Sequence, residues 1–268
     1  MINEPTEEQI VHWKFAEAFH ARRVWLTYVI FGFNILLFAL MVLVSTKPAM
    51  MLSSGNDSPV LLNFGAKINA LILQQTEWFR FVTPIFLHIG ILHLAINSYT
   101  LWNVGPTIEK LFGAARFFVL YLATGIAGVI GSVVSDLYFK GNGIGAGASG
   151  ALFGLVGVSL AVSYRYRRQL PEGFRKALGP GMIQVVAINL LYGFINNSSS
   201  GRGHLIDNSA HIFGLVSGGL LGLAVPMLAP GEEEKPQTKK FIITICTLIV
   251  AYCFVRAYLV RPFPNLGR

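Results

Sequence analysis

Residues 147–163 read GASGALFGLVGVSLAVS, and this stretch decides how the rest of the chain is understood. It contains no charged residue, and its length matches the lower limit for a helix that crosses a bilayer, about 17 to 25 mostly apolar residues. It nevertheless opens on a serine between small residues, at Gly147-Ala148-Ser149-Gly150. Six more apolar runs lie on either side, at 24–45, 81–104, 117–136, 178–195, 210–228 and 241–260. The run at 178–195 holds Gln184 and Asn189 and is the least apolar, and Arg256 in the last run can snorkel to an interface. The pattern predicts an all-α, polytopic transmembrane helix bundle. Its expected parts are an N-terminal arm (1–23), a six-helix core (24–228), and a linker with a seventh helix and short tail (229–268).

Composition supports lipid as the solvent. Charged residues make up 13% of the chain and hydrophobic ones 53%, whereas a soluble domain carries about 25% charged residues. The formal charge of +8 does not point to nucleic acid. The basic residues form no stripe with interleaved aromatics; they sit in clusters between apolar runs. With the N-terminus inside, thirteen of the 21 lysines and arginines fall on the inner side, led by Arg165, Arg167, Arg168, Arg175 and Lys176. The positive-inside tendency therefore predicts a cytoplasmic N-terminus.

The first 23 residues show no apolar h-region and no acid-poor transit character. They are expected to form a cytoplasmic arm, partly an amphipathic helix on the membrane. Cys246 and Cys253 lie seven residues apart in one run, about 10 Å along a helix, too far for a disulfide. The segment 46–80 is long for a connection, yet its apolar part at 60–73 is too short to span, so an interfacial or re-entrant loop is expected.

Polar groups inside membrane spans are costly and are functional candidates by default. Three sets stand out: His88, His93 and Asn97 in the second run, Ser149 in the fourth, and His211 in the sixth. These three runs enter the membrane from the same side, so the sets are expected at similar depth beneath the outer face. At about 100° per residue, His93 and Asn97 share a helix face, while His88 is turned about 140° from His93 and is expected to serve a different purpose.

The small residues around Ser149 permit close backbone approach. A helix starting there leaves free N–H groups at the positive end of its dipole, the donors an oxyanion hole needs. Gly150 and Gly154, and Gly214, Gly218 and Gly222, are spaced for tight helix packing, which would carry Ser149 towards His211, as a Ser–His pair requires. There is no H-E-x-x-H zinc motif, and no two aspartates lie deep in facing spans. No metal and no cofactor is expected. Asp207 and Asn208 are expected to cap the sixth run, and no third residue suggests itself as an orienter of His211.

Taken together, these residues resemble the rhomboid family of intramembrane serine proteases. The likeness covers about Gly65 to Gly222. It comprises Glu77-Trp78-Phe79-Arg80, His88-x4-His93-x3-Asn97, Gly105 to Glu109 with Gly113, Gly147-Ala148-Ser149-Gly150 and Ala210-His211-x2-Gly214-x3-Gly218. The resemblance implies a six-plus-one helix arrangement and a serine endopeptidase with a Ser149–His211 dyad. It implies an oxyanion and substrate site at His93, Asn97, Gly147 and Ser149. Expected substrates are transmembrane proteins cut in or near their spans, and the expected location is a bacterial cell membrane with the site near its outer face. It also implies that the 46–80 loop is membrane-embedded and held by Trp78 and Arg80.

Two departures are visible. Phe79 separates Trp78 from Arg80, where the family often has adjacent Trp-Arg, and can take the aromatic place; Phe153 stands where some members have tyrosine, which keeps a ring to pack beneath His211 without the hydroxyl. Partners are thus expected to be transmembrane substrates and membrane lipid. The alternative is a non-catalytic rhomboid-like protein that binds transmembrane partners. A transporter would instead place its polar groups near the midplane of an inverted repeat.

Overall fold

The computed structural model describes residues 5–53, 57–141, 143–183 and 207–262. It is all-α: the described residues contain no strand, only an isolated antiparallel bridge between Lys67 and Gly145. The helices are α1 (Glu7–Ala21), α2 (Leu26–Val44), α3 (Pro48–Ser53), α4 (Ser58–Asn63), α5 (Asn69–Gln74) and α6 (Ile91–Phe112). They continue with α7 (Ala114–Phe139), α8 (Ser149–Arg165), α9 (Glu172–Leu178), α10 (Asn208–Ala224) and α11 (Pro236–Val260). By length and composition α2, α7 and α11 can each cross a membrane, and α8 and α10 are apolar helices of 17 residues.

Helix α8 sits at the centre, packed chiefly against α10, α7 and α6. Most of its residues are buried, from Gly150 through Ser163, which is why it is apolar on every side. Its seam with α10 is built of glycine. A Cβ on Gly214 would overlap the carbonyl oxygen of Gly150, and one on Gly218 the carbonyl oxygen of Gly154. Helix α11 turns a narrow row of Cys246, Val250, Cys253 and Ala257 inward. Both cysteines are free.

Glu109, 1% exposed, joins α6 to α2. Its carboxylate accepts from the backbone N–H groups of Trp25, Leu26 and Thr27 at 3.0, 2.9 and 2.8 Å, and from the Thr27 hydroxyl at 2.7 Å. The orphan donors of the α2 N-terminus are satisfied by a charged acceptor, which also suits the helix dipole. Gly105 lies against Thr27, so α6 and α2 can approach closely there. The arm is a helix, α1, opened by a capping box between Thr6 and Gln9. It docks on protein through Phe15 and Phe19, whose rings meet Phe174 of α9 at 5.3 and 4.9 Å.

The second apolar run is shifted from its expected bounds of 81–104. Two 3-10 turns, Trp78–Phe81 and Thr83–Phe86, precede α6, which starts only at Ile91 and continues to Phe112. Pro84 and Gly90, the latter at φ 83°, interrupt the helix that apolar composition alone suggests. Of the fifth run, 178–195, only the first residues are described, with helix at 180–183; the rest lies outside the described residues.

The 46–80 loop holds three short helices, α3 to α5, none long enough to span. Arg80, 1% exposed, anchors it by donating to the carbonyls of Leu62 (3.0 Å) and Ala66 (2.7 Å) and pairing with Glu77. Burial lowers the Arg80 guanidinium below its usual value, and Glu77 opposes that shift. The expectation for Trp78 fails. Trp78 is 60% exposed, and Phe79 is the buried ring, with the Arg80 guanidinium 5.1 Å from its centroid.

Candidate active site

Ser149 is the first residue of α8 and is half-buried. The chain reaches it through Gly147, whose φ of 146° is rarely open to a side chain. Gly147 donates its N–H to the Pro84 carbonyl at 2.9 Å, which ties the approach to α8 to the second 3-10 turn. Space forbids a side chain as well. A Cβ on Gly147 would lie 2.7 Å from His93 Cε1, 2.8 Å from His93 Nε2 and 3.6 Å from Asn97 Nδ2. The His93–Asn97 face of α6 therefore lies directly against the segment that leads into Ser149.

His93 accepts a hydrogen bond at Nδ1 from the Ile89 backbone N–H, at 3.4 Å. A neutral imidazole that accepts at Nδ1 carries its proton on Nε2, the atom beside Gly147. Asn97 is buried, and its Nδ2 has no partner among the described residues. Two side-chain donors thus face the start of α8, close to the free N–H groups of its first turn.

His211 enters from α10. Asp207 caps that helix, accepting from the Ala210 N–H at 3.0 Å, and its own carbonyl receives the His211 N–H at 3.2 Å. The carbonyl of Ala210 and the backbones of Gly128 and Gly150 meet where no side chain intervenes. Phe153 lies one turn after Ser149 on the same face of α8, and its ring stacks flat on the His211 imidazole, centroids 4.2 Å apart and planes 4° from parallel. His211 is buried, and its Nδ1 has no partner among the described residues.

His88 does not lie on the helix with His93, so the helical-phase reading of it does not apply. It precedes α6, is fully buried, and sets its ring at 66° to that of His93 with centroids 5.5 Å apart. Sequence reasoning also passed over Pro84 and Ile89. Each acts through a backbone carbonyl or N–H that any residue could supply, so neither leaves a mark in the sequence.

A family model for the rhomboid domain matches residues 75–228, more than half of the chain. This chain belongs to the rhomboid family. With helices able to cross a bilayer, this rhomboid is an integral membrane protein. It is 38% identical over 221 residues to the rhomboid protease GluP of Bacillus subtilis, covering 82% of this chain and 38% of that protein. It is 37% identical over 145 residues to the putative rhomboid protease YdcA of the same bacterium, covering 54% of this chain and 66% of that one. RHOMBOID-like protein 1 of Arabidopsis thaliana is 30% identical over 212 residues, 73% of this chain and 51% of the relative. The chain thus spans between about two fifths and two thirds of the length of these relatives.

Proposed function

We propose that this rhomboid is an intramembrane serine endopeptidase that cleaves membrane proteins in or beside their transmembrane segments. The observation that carries this reading is the meeting of three helix starts: His93 and Asn97 of α6 against Gly147, and α8 against α10 with Phe153 stacked on His211.

In the proposed reaction Ser149 Oγ attacks the scissile carbonyl carbon while His211 takes the hydroxyl proton. The carbonyl oxygen becomes an oxyanion that accepts hydrogen bonds from Asn97 Nδ2–H, His93 Nε2–H and the Ser149 backbone N–H, beside Gly147. The C–N bond breaks as His211 returns the proton to the leaving amine. A water molecule then hydrolyses the acyl-serine, with His211 again as base. No cofactor and no metal enters these steps.

The proposed setting is a bacterial cell membrane, with the N-terminal arm (1–23) cytoplasmic and the site near the outer face. The protease core spans 24–228, and the linker, seventh helix and tail span 229–268. Favoured substrates carry glycine or proline near the cut, because a helix in lipid keeps its backbone bonds internal and must unwind to be cleaved. The test is fluorophosphonate labelling of the reconstituted chain, together with cleavage of a transmembrane substrate. Ser149→Ala and His211→Ala should each abolish both, since loss of either member of such a unit costs nearly as much as loss of both. Cleavage by Ser149→Ala at more than a few per cent of the parent rate would remove Ser149 from the mechanism.

A further inference from the structure

Lys67, 2% exposed, stands in the loop before α5 where three separate pieces of the chain meet. Its ammonium pairs with the Asp136 carboxylate near the end of α7 and lies 3.5 Å from the Gly143 carbonyl. Its backbone exchanges two hydrogen bonds with Gly145, at 2.8 and 2.9 Å. Its aliphatic stem lies along Gly145, where a Cβ would come 3.1 Å from Lys67 Cδ. Gly145 is two residues before Gly147 and four before Ser149.

The segment leading into α8 has glycine at 141, 143, 145 and 147, so its side-chain packing is limited to Ile144, Ala146 and Ala148. Ties from outside also fix its position. Gly141 donates to the Asp136 carbonyl at 2.8 Å, Gly145 is bridged to Lys67, and Gly147 donates to Pro84. Of these ties between described residues, the one at Lys67 adds a side-chain ion pair. Lys67 is buried and Asp136 half-buried, and an ion pair with a buried member is a poor way to gain stability, because apolar residues of similar volume serve as well or better.

We propose that the Lys67–Asp136 pair is a positioning latch for the active site. It holds the glycine-rich approach to α8 so that Gly147 and Ser149 face His93 and Asn97. This rests on the proposed protease function. The latch touches no reacting atom and acts through the backbone of Gly145. Displacement by about 1 Å can cost 100-fold in rate when geometry governs a reaction.

The test uses the reconstituted full chain with Lys67→Met, Asp136→Asn, Lys67→Arg and the double variant Lys67→Met/Asp136→Leu. Measured are the labelling rate at Ser149, kcat and KM on a transmembrane substrate, and Tm. Each single neutralising change should lower Tm and slow labelling at least about ten-fold. The double variant leaves no unpaired buried charge, so its Tm should recover while labelling and kcat stay about ten-fold low and KM changes little. Lys67→Arg, which keeps the pair, should remain within about three-fold of the parent.

Labelling that recovers together with Tm in the double variant, or parental kcat in either single variant, would make the pair structural only. If the double variant does not fold, the labelling rate per folded molecule of Lys67→Met decides in the same way. A parent chain that labels and is silenced by Ser149→Ala keeps the protease reading intact whatever the latch variants do.

Discussion

The Phe153 ring lies parallel to the His211 imidazole at 4.2 Å. Stacking of this kind contributes about 0.5–1.5 kcal/mol beyond area burial, and here it sets the plane of the imidazole from the helix that carries Ser149. A phenolic hydroxyl is not needed for that contact.

Phe153→Tyr is therefore expected to keep the parental rate within about three-fold, and Phe153→Ala to lower kcat about 100-fold by freeing the imidazole. Steady-state cleavage of a transmembrane substrate by both variants checks this. Equal rates for Phe153→Ala and the parent would show that the stack does not orient His211.

Asn97→Ala removes one buried donor beside Gly147. Loss of one oxyanion donor costs about 3–4 kcal/mol in comparable sites, or 10² to 10³ in rate. The loss should fall on kcat with KM nearly unchanged, read from the dependence of cleavage rate on substrate concentration. A rise in KM alone would place Asn97 in substrate binding instead.

Gly214→Leu is expected to inactivate the protein without touching a reacting group. Even a Cβ at this position overlaps the Gly150 carbonyl, so a leucine must push α10 away from α8 and His211 away from Ser149. Leucine is at home in lipid, so insertion and expression should survive. The control is Leu220→Ala on the same helix, at a position 64% exposed. Parental labelling by Gly214→Leu would show that this crossing does not set the Ser149–His211 distance.

Arg80→Met should destabilise the protein by about 3–5 kcal/mol, because it leaves the buried Glu77 carboxylate unpaired and frees two loop carbonyls. Trp78→Ala, at an exposed position, should cost no more than about 0.5 kcal/mol. Thermal unfolding in detergent distinguishes them. A larger loss for Trp78→Ala would restore the tryptophan as the anchor of the loop.

Much of the candidate site is legible in the sequence because its parts declare themselves locally. Ser149 stands out as a polar group opening an apolar run, and so do His93, Asn97 and His211. The glycine rows at Gly150 and Gly214 announce a close crossing by spacing alone. His88 misleads for an equally local reason: a helical phase presumes a helix, and α6 begins only after Gly90, which leaves His88 outside it.

What the sequence determined by itself was lipid as the solvent of its long apolar helices, the helical class and the candidate residues for the chemistry. All follow from composition and period within one run of chain. The tertiary structure alone decided that α6 begins at Ile91, that of the two candidate rings Phe79 is the one beneath Arg80, that α1 docks on α9, and that Lys67 reaches Asp136 and Gly145. These contacts join residues distant in the chain, often through backbone carbonyls and N–H groups common to every residue. A hydrogen bond to the carbonyl of Leu62 or Pro84 leaves no trace in which side chain stands there, so folding in three dimensions had to reveal it.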